Sequence, residues 1–326
     1  MRAVMTLLLD SVRVMRARVL FWVVLGISAL VGLIYLSIGF HDSGFSMLFG
    51  LLQFDHPVIR AGTDEAELLY LGLFQKVIVI LWLFGAAVFL AIIATASIFP
   101  DLMAEGAIEV TLSKPVGRLK LFLTKYVGSL IFMAVQVGIF VVLAFLAMKW
   151  RIGTWNPSLF WFVPLAVLVF SYLYCVVVLF SVKTRSVLPG ILGAATLWVI
   201  AFVMNLGEAN LYAYAYPKQG MLYSEDDISF QESLQRLHRG VHVMNAFLPK
   251  PRQTLDLSDR LVVVNGERGF STTDFANLTL GWLVQADGTE DRIMRRNTPV
   301  YVLGTSLLFE LVIVSWAAWI FCRRDF

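Results

Sequence analysis

Glu310 stands near the middle of an apolar run, Val300–Phe321. An ionisable side chain in such a run is costly to keep from water, so by default it marks a functional path or is hydrogen-bonded to a neighbouring helix. Both roles are open for Glu310: a substrate path, or a carboxyl that ties one helix to another. His238 and His242 stand four apart, a spacing that puts both on one helix face and within reach of one metal ion. No glutamate follows the first histidine, so the HExxH pattern of metalloproteases is absent. Beside Arg239 the pair reads as surface histidines, and no metal site is expected. His41, Asp55 and His56 are a second sparse set that carries no assignment. No GxxxxGKS/T phosphate loop occurs in the chain, so no ATPase activity and no cofactor are expected of it. Cys175 and Cys322 show no CxxC spacing, and Cys175 reads as a small packing residue.

These residues sit on a chain of 326 residues that is 59% hydrophobic, with a mean hydropathy of +0.77. Soluble domains have about 45–50% apolar residues, so the expectation is an integral membrane protein. Six apolar runs reach the ~20 residues that cross a ~30 Å hydrocarbon core. They lie near Val19–Phe40, Leu71–Ala96, Tyr126–Met148, Leu159–Phe180, Val187–Leu206 and Val300–Phe321. The expected fold is all-α, one polytopic domain over residues 1–326. Residues 2–18 carry four arginines and an apolar stripe, which predicts an interfacial helix ahead of the first span. Gly190 and Ala194 form a small-xxx-small pair suited to close helix packing. The net charge of +3 is small and the basic residues are unclustered, so no nucleic-acid partner is expected.

Orientation follows from lysine and arginine in the short connections. One side holds Arg2, Arg13, Arg16, Arg18, Lys114, Arg118, Lys120, Lys125, Lys183, Arg185, Arg323 and Arg324; the other holds Arg60, Lys76, Lys149 and Arg151. The first side is therefore expected to be cytoplasmic, with both termini on it and the chain in a cell (inner) membrane. Lys76 is expected to snorkel to the outer interface. Trp150, Trp155 and Trp161 fit an aromatic belt there.

Residues 207–298 form a long polar insertion before the last span, expected to be extracytoplasmic. Ser229-Phe230-Gln231-Glu232 reads as a capping box. The helix it opens carries Phe230, Leu234, Leu237, Val241 and Met244 on one stripe and stops at Pro249. Leu261–Val264 before Asn265-Gly266 is a strand-and-turn signal.

The stretch Pro100–Lys125 joins the second and third spans. Asp101–Leu112 has helical spacing, and Pro115 breaks that helix because proline disfavours helical geometry in the residue before it. Acidic residues come first and basic residues follow Ser113. Glu105-Gly106, then Ser113-Lys114-Pro115-Val116 and Arg118, with Lys125-Tyr126-Val127-Gly128 opening the next span, resembles the first cytoplasmic loop of type-2 export ATP-binding-cassette (ABC) permeases. The chain end, Arg323-Arg324-Asp325-Phe326, resembles that family more weakly. The resemblance implies that the loop is the coupling element that docks on a separate ATPase subunit. It assigns the contact to Glu105, Gly106, Lys114, Pro115 and Arg118, and it implies that the permease pairs with a second permease subunit in the lipid bilayer. The insertion departs from the plainest members of the family.

The function expected from residues and resemblance together is a permease subunit coupling ATP hydrolysis elsewhere to export. A non-transporting membrane scaffold, whose outer insertion binds a partner protein, is the alternative. An ATP-independent channel or secondary transporter ranks last, because Glu310 is nearly alone among the spans and no internal repeat is evident.

Overall fold

The computed structural model describes residues 19–55, 59–104, 117–216, 225–264, 268–269 and 298–324. The interfacial helix expected over residues 2–18 lies outside them, as do residues 105–116 of the loop. Six of the described helices are long and apolar enough to cross a membrane, consistent with a multi-pass membrane protein. They are α1 (Val19–Leu36), α2 (Asp64–Leu102), α3 (Arg118–Arg151), α4 (Phe162–Thr184, entered through a 3-10 turn Pro157–Trp161), α5 (Val187–Ala215) and α9 (Pro299–Arg323). Between α5 and α9 lie α6 (Glu225–Ala246), α7 (Pro251–Asp256) and α8 (Ser258–Leu261).

The expected all-α architecture holds for this framework, with two small antiparallel sheets added. Strands β1 (Gly39–His41), β2 (Gly44–Met47) and β3 (Leu52–Asp55) follow α1, so the first span ends at Leu36 rather than Phe40. Glycines at 39 and 44 and a tight turn at 42–43 favour pairing over a longer helix. Strands β4 (Val263–Val264) and β5 (Arg268–Gly269) pair where the strand-and-turn signal stands.

Helix α4 is the hub. It packs against α2, α3, α5, α7 and α9, and 83% of its membrane-length stretch is buried, against 17% for α5 and 22% for α9. Its sequence explains this, because apolar residues cover every face from Phe162 to Val182. An all-round apolar helix belongs in the middle of a bundle. The α4–α5 contact depends on glycine. A Cβ on Gly190 would stand 2.5 Å from Ser181 Oγ and 2.9 Å from the Val177 carbonyl, and one on Gly193 would stand 2.7 Å from the Phe180 ring. Ala194 is fully buried in the same seam.

Helix α2 is not uniformly α. Leu73–Ala87 is wound as a π-helix, and Phe74, Val79 and Phe84, spaced five apart, share its buried side. Hydrogen bonds from i to i+5 bring that spacing onto one face, a period that α-helical patterning does not look for.

Candidate functional site

Among the described residues, polar clusters interrupt the apolar framework. The first surrounds Glu310. Tyr126 of α3 donates to its Oε1 at 2.8 Å, and Ser171 of α4 lies 2.8 Å from its Oε2. Three helices thus meet at one carboxyl group. Ser171 has a single proton and two acceptors at 2.8 Å, the Leu168 carbonyl and Glu310. Its proton can go to only one of them at a time. Below Glu310, the Ser129 and Tyr174 hydroxyls bond at 2.8 Å, and the Tyr126 and Tyr174 rings stack at 5.6 Å. Both hydrogen bonds reach Glu310 from other helices. Tyr126, read only as part of a loop signature, is its main partner. An isolated tyrosine at the start of an apolar run gave no signal of this.

The second cluster joins the ends of α3, α4 and α9. Arg118 Nη1 donates to the carbonyls of Cys322 at 3.2 Å and Arg324 at 2.8 Å. Arg324 in turn donates to the carbonyls of Val182 and, at 3.4 Å, Lys183. Carbonyls of a last helical turn lack intrahelical partners and carry partial negative charge, so guanidinium groups suit them. Arg118 is the first residue of α3. Its guanidinium is engaged within the chain. Glu105, Gly106, Lys114 and Pro115, the other residues assigned to ATPase contact, lie outside the described residues.

The third cluster is at the opposite end, under the insertion. Glu208 of α5 accepts hydrogen bonds from His242 Nδ1 at 2.5 Å and from the Asn245 amide. His238 is buried, its ring against Tyr212 and Tyr216, and the His242 ring stacks on Tyr301 of α9 at 5.4 Å. The expectation of surface histidines is therefore wrong for His238. The expected apolar stripe of α6 is misplaced as well. Phe230, Leu237 and Met244 are exposed, while His238 and Asn245 face inward. Periodicity finds the stripe but not what lies opposite, and here α5 presents Glu208, Asn205 and tyrosines that a polar helix face satisfies. Helix α6 also begins at Glu225, ahead of the capping box.

Lys250 closes the cluster. It is fully buried, and its Nζ donates to the carbonyls of Asn245 (2.9 Å) and Leu248 (3.3 Å) and to Thr305 Oγ1 (3.0 Å), over the Tyr301 ring. Burial pushes its pKa down from 10.5 to about 8, with Glu208 opposing the shift. Lys76 does not snorkel freely. Its Nζ pairs with Asp259 Oδ2 at 2.7 Å, and Gln75 donates to Ser258 at 3.0 Å and to Asp259. This pins α8 to the π-wound part of α2.

Among the described residues no three His, Cys, Asp or Glu side chains gather as a metal site. No protein-family model matches the chain, and no curated protein matches it.

Proposed function

We propose that the chain is the transmembrane permease subunit of an ATP-driven ABC-type exporter, taking its energy from a separate ATPase subunit. In this reading the end bearing Arg118, Arg185 and Arg324 faces the cytoplasm of the cell (inner) membrane. Residues 105–116, with Glu105, Gly106, Lys114 and Pro115, dock on the ATPase. A second permease subunit completes the transporter.

One observation carries the reading: Arg118 joins the end of that loop to the end of α9 through two hydrogen bonds. A displacement of the loop is thereby delivered to the helix that holds Glu310. Arg118 transmits the motion, and the docking contact falls to the residues ahead of it. Glu310, fixed to α3 and α4 by two hydrogen bonds, is where a shift of α9 changes polar contacts inside the bundle.

The scaffold reading has one observation in its favour, the exposed apolar stripe Phe230, Leu237 and Met244 on α6. Such a face on a soluble segment marks an interaction site. Purification of the tagged chain from its native membranes separates the two readings. The permease reading expects an ATP-hydrolysing subunit with a Walker A loop in a fixed ratio to the chain. Recovery of the chain with other proteins and no such subunit favours the scaffold.

A further inference from the structure

The segment that follows α6 does not stay at the rim of the bundle. Helix α7 packs against α4, α5 and α9 at once. The Lys250 backbone N–H donates to Ser306 Oγ of α9 at 3.1 Å. Ser306 lies seven residues into α9, about 10 Å along its axis at 1.5 Å per residue, and one turn before Glu310. Thr254 is fully buried. It lies beside the Tyr172 hydroxyl of α4, which also faces Ser306.

Polar atoms in this seam are left over. Asn245 Oδ1, Gln253 Oε1, Thr254 Oγ1 and the Tyr172 hydroxyl are buried and have no hydrogen-bond partner among the described residues. Tyr172 and Thr254 stand near each other without reaching bonding geometry. Buried polar groups are nearly always satisfied, by protein or by ordered water. Four orphans around one short segment, with Lys250, Thr305 and Ser306 beside them, make a polar surface with the several partners that buried water requires.

The segment is also held in a releasable way. One end is fixed by Lys250 to Thr305 and Ser306. The other is fixed by Asp259 to Lys76 and Gln75, and by Asn156 and Ser158 to the Val263 backbone. These are side-chain hydrogen bonds and one ion pair.

We propose that residues 250–261 form a re-entrant plug over a hydrated seam between α4, α5 and α9, in which ordered water bridges Asn245, Gln253, Thr254 and Tyr172 and leads towards Glu310. Use of the seam as a transport route rests on the permease reading; the water and the plug do not.

The test uses the full-length chain alone in lipid vesicles, with Cys175→Ala and Cys322→Ala as background. A single cysteine, Thr254→Cys, is exposed to 2-aminoethyl methanethiosulfonate, a small water-soluble thiol reagent. Val169→Cys, three residues before Tyr172 on α4 and equally buried in apolar packing, is the dry control. Thr254→Cys is expected to react at least tenfold faster than Val169→Cys, and adding Asp259→Asn is expected to raise its rate about tenfold more. Equal rates at the two positions would overturn the seam. A rate unmoved by Asp259→Asn would overturn the plug. Hydroxyl-radical footprinting of the unsubstituted chain guards against a misfolded variant. Tyr172 is expected to be oxidised much faster than Phe170, which is equally buried, and equal protection of both would overturn the proposal. No ATPase or substrate enters these measurements, so their failure leaves the permease reading untouched, and failure to find an ATPase leaves them standing.

Discussion

Arg118 and Arg324 act in series. Arg118 Nη1 donates to the Arg324 carbonyl at 2.8 Å, and the Arg324 guanidinium reaches on to the last carbonyls of α4. Three helix ends that are remote in sequence are thereby held together. Hydrogen bonds to charged groups contribute about 1.5–3 kcal/mol. Arg324→Ala is expected to lower unfolding stability in detergent by about 1.5 kcal/mol, the low end because the group is partly exposed. Arg324→Lys should recover little of this, since an ammonium lacks the planar fork that reaches two carbonyls. Denaturant titration of the three proteins decides it; an Arg324→Ala curve that overlays the parent would remove the clamp.

Glu310 gives the second prediction. Glu310→Gln keeps an acceptor for Tyr126 and a polar group for Ser171. Glu310→Leu leaves the buried Tyr126 hydroxyl only its long 3.4 Å hydrogen bond to the Ser171 carbonyl, a loss of about 1–3 kcal/mol. The leucine variant should therefore unfold at a visibly lower temperature than the glutamine variant. In the permease reading transport in vesicles should fall in both, because neither keeps the carboxyl group that α3 and α4 hold by two hydrogen bonds. Parental transport by Glu310→Leu would make the residue neither a path element nor an important tie.

The α4–α5 seam gives the third. Gly190→Ala brings a methyl against Ser181 Oγ and the Val177 backbone. Overpacking of this kind costs about 1–3 kcal/mol. Gly207, where a Cβ would meet nothing within 4 Å, serves as control. Gly190→Ala is expected to reduce thermal stability while Gly207→Ala does not, as read by size-exclusion recovery after heating.

Lys250 gives a pH dependence with a definite sign. Its pKa in the folded chain is about 8, below the ordinary 10.5. Between those values the unfolded chain holds a proton that the folded chain has released. Stability therefore rises with pH through that window. Below it both states are protonated, and the cost of burying the cation is present in full. Lys250→Met should flatten the rise in a stability profile from pH 7 to 10. An unaltered slope would mean that another group titrates there.

The membrane-length helices were legible because bilayer thickness sets their length and apolar composition marks them. Gly190 was legible because close packing has a local signature. The polar clusters were not. Tyr126 and Glu310 are 184 residues apart, and Ser171 and Glu310 139 apart, so only the tertiary arrangement joins them. The π-winding of Leu73–Ala87 has no sequence signature, because its five-residue spacing fits neither the 3.6 period of an α-helix nor the 2.0 period of a strand. His238 was misjudged because a histidine beside arginine looks solvated until α5 is laid against it. The bonds of Arg118 to the end of α9 have no signal in the sequence, because residues 118, 322 and 324 meet only in three dimensions.

In the permease reading the loop before α3 docks an ATPase and Arg118 passes its motion to α9. The most direct measurement compares two variants for ATPase retention and stimulated ATP hydrolysis in reconstituted vesicles. Glu105→Lys with Lys114→Glu is expected to release the ATPase in pull-down, since reversed charges in a complementary cleft repel. Arg118→Ala, which removes both hydrogen bonds to the end of α9, is expected to keep the ATPase bound and lose substrate-stimulated hydrolysis. Full retention and full stimulation in both variants would contradict the account, for it would show that neither the loop nor the clamp connects the chain to ATP.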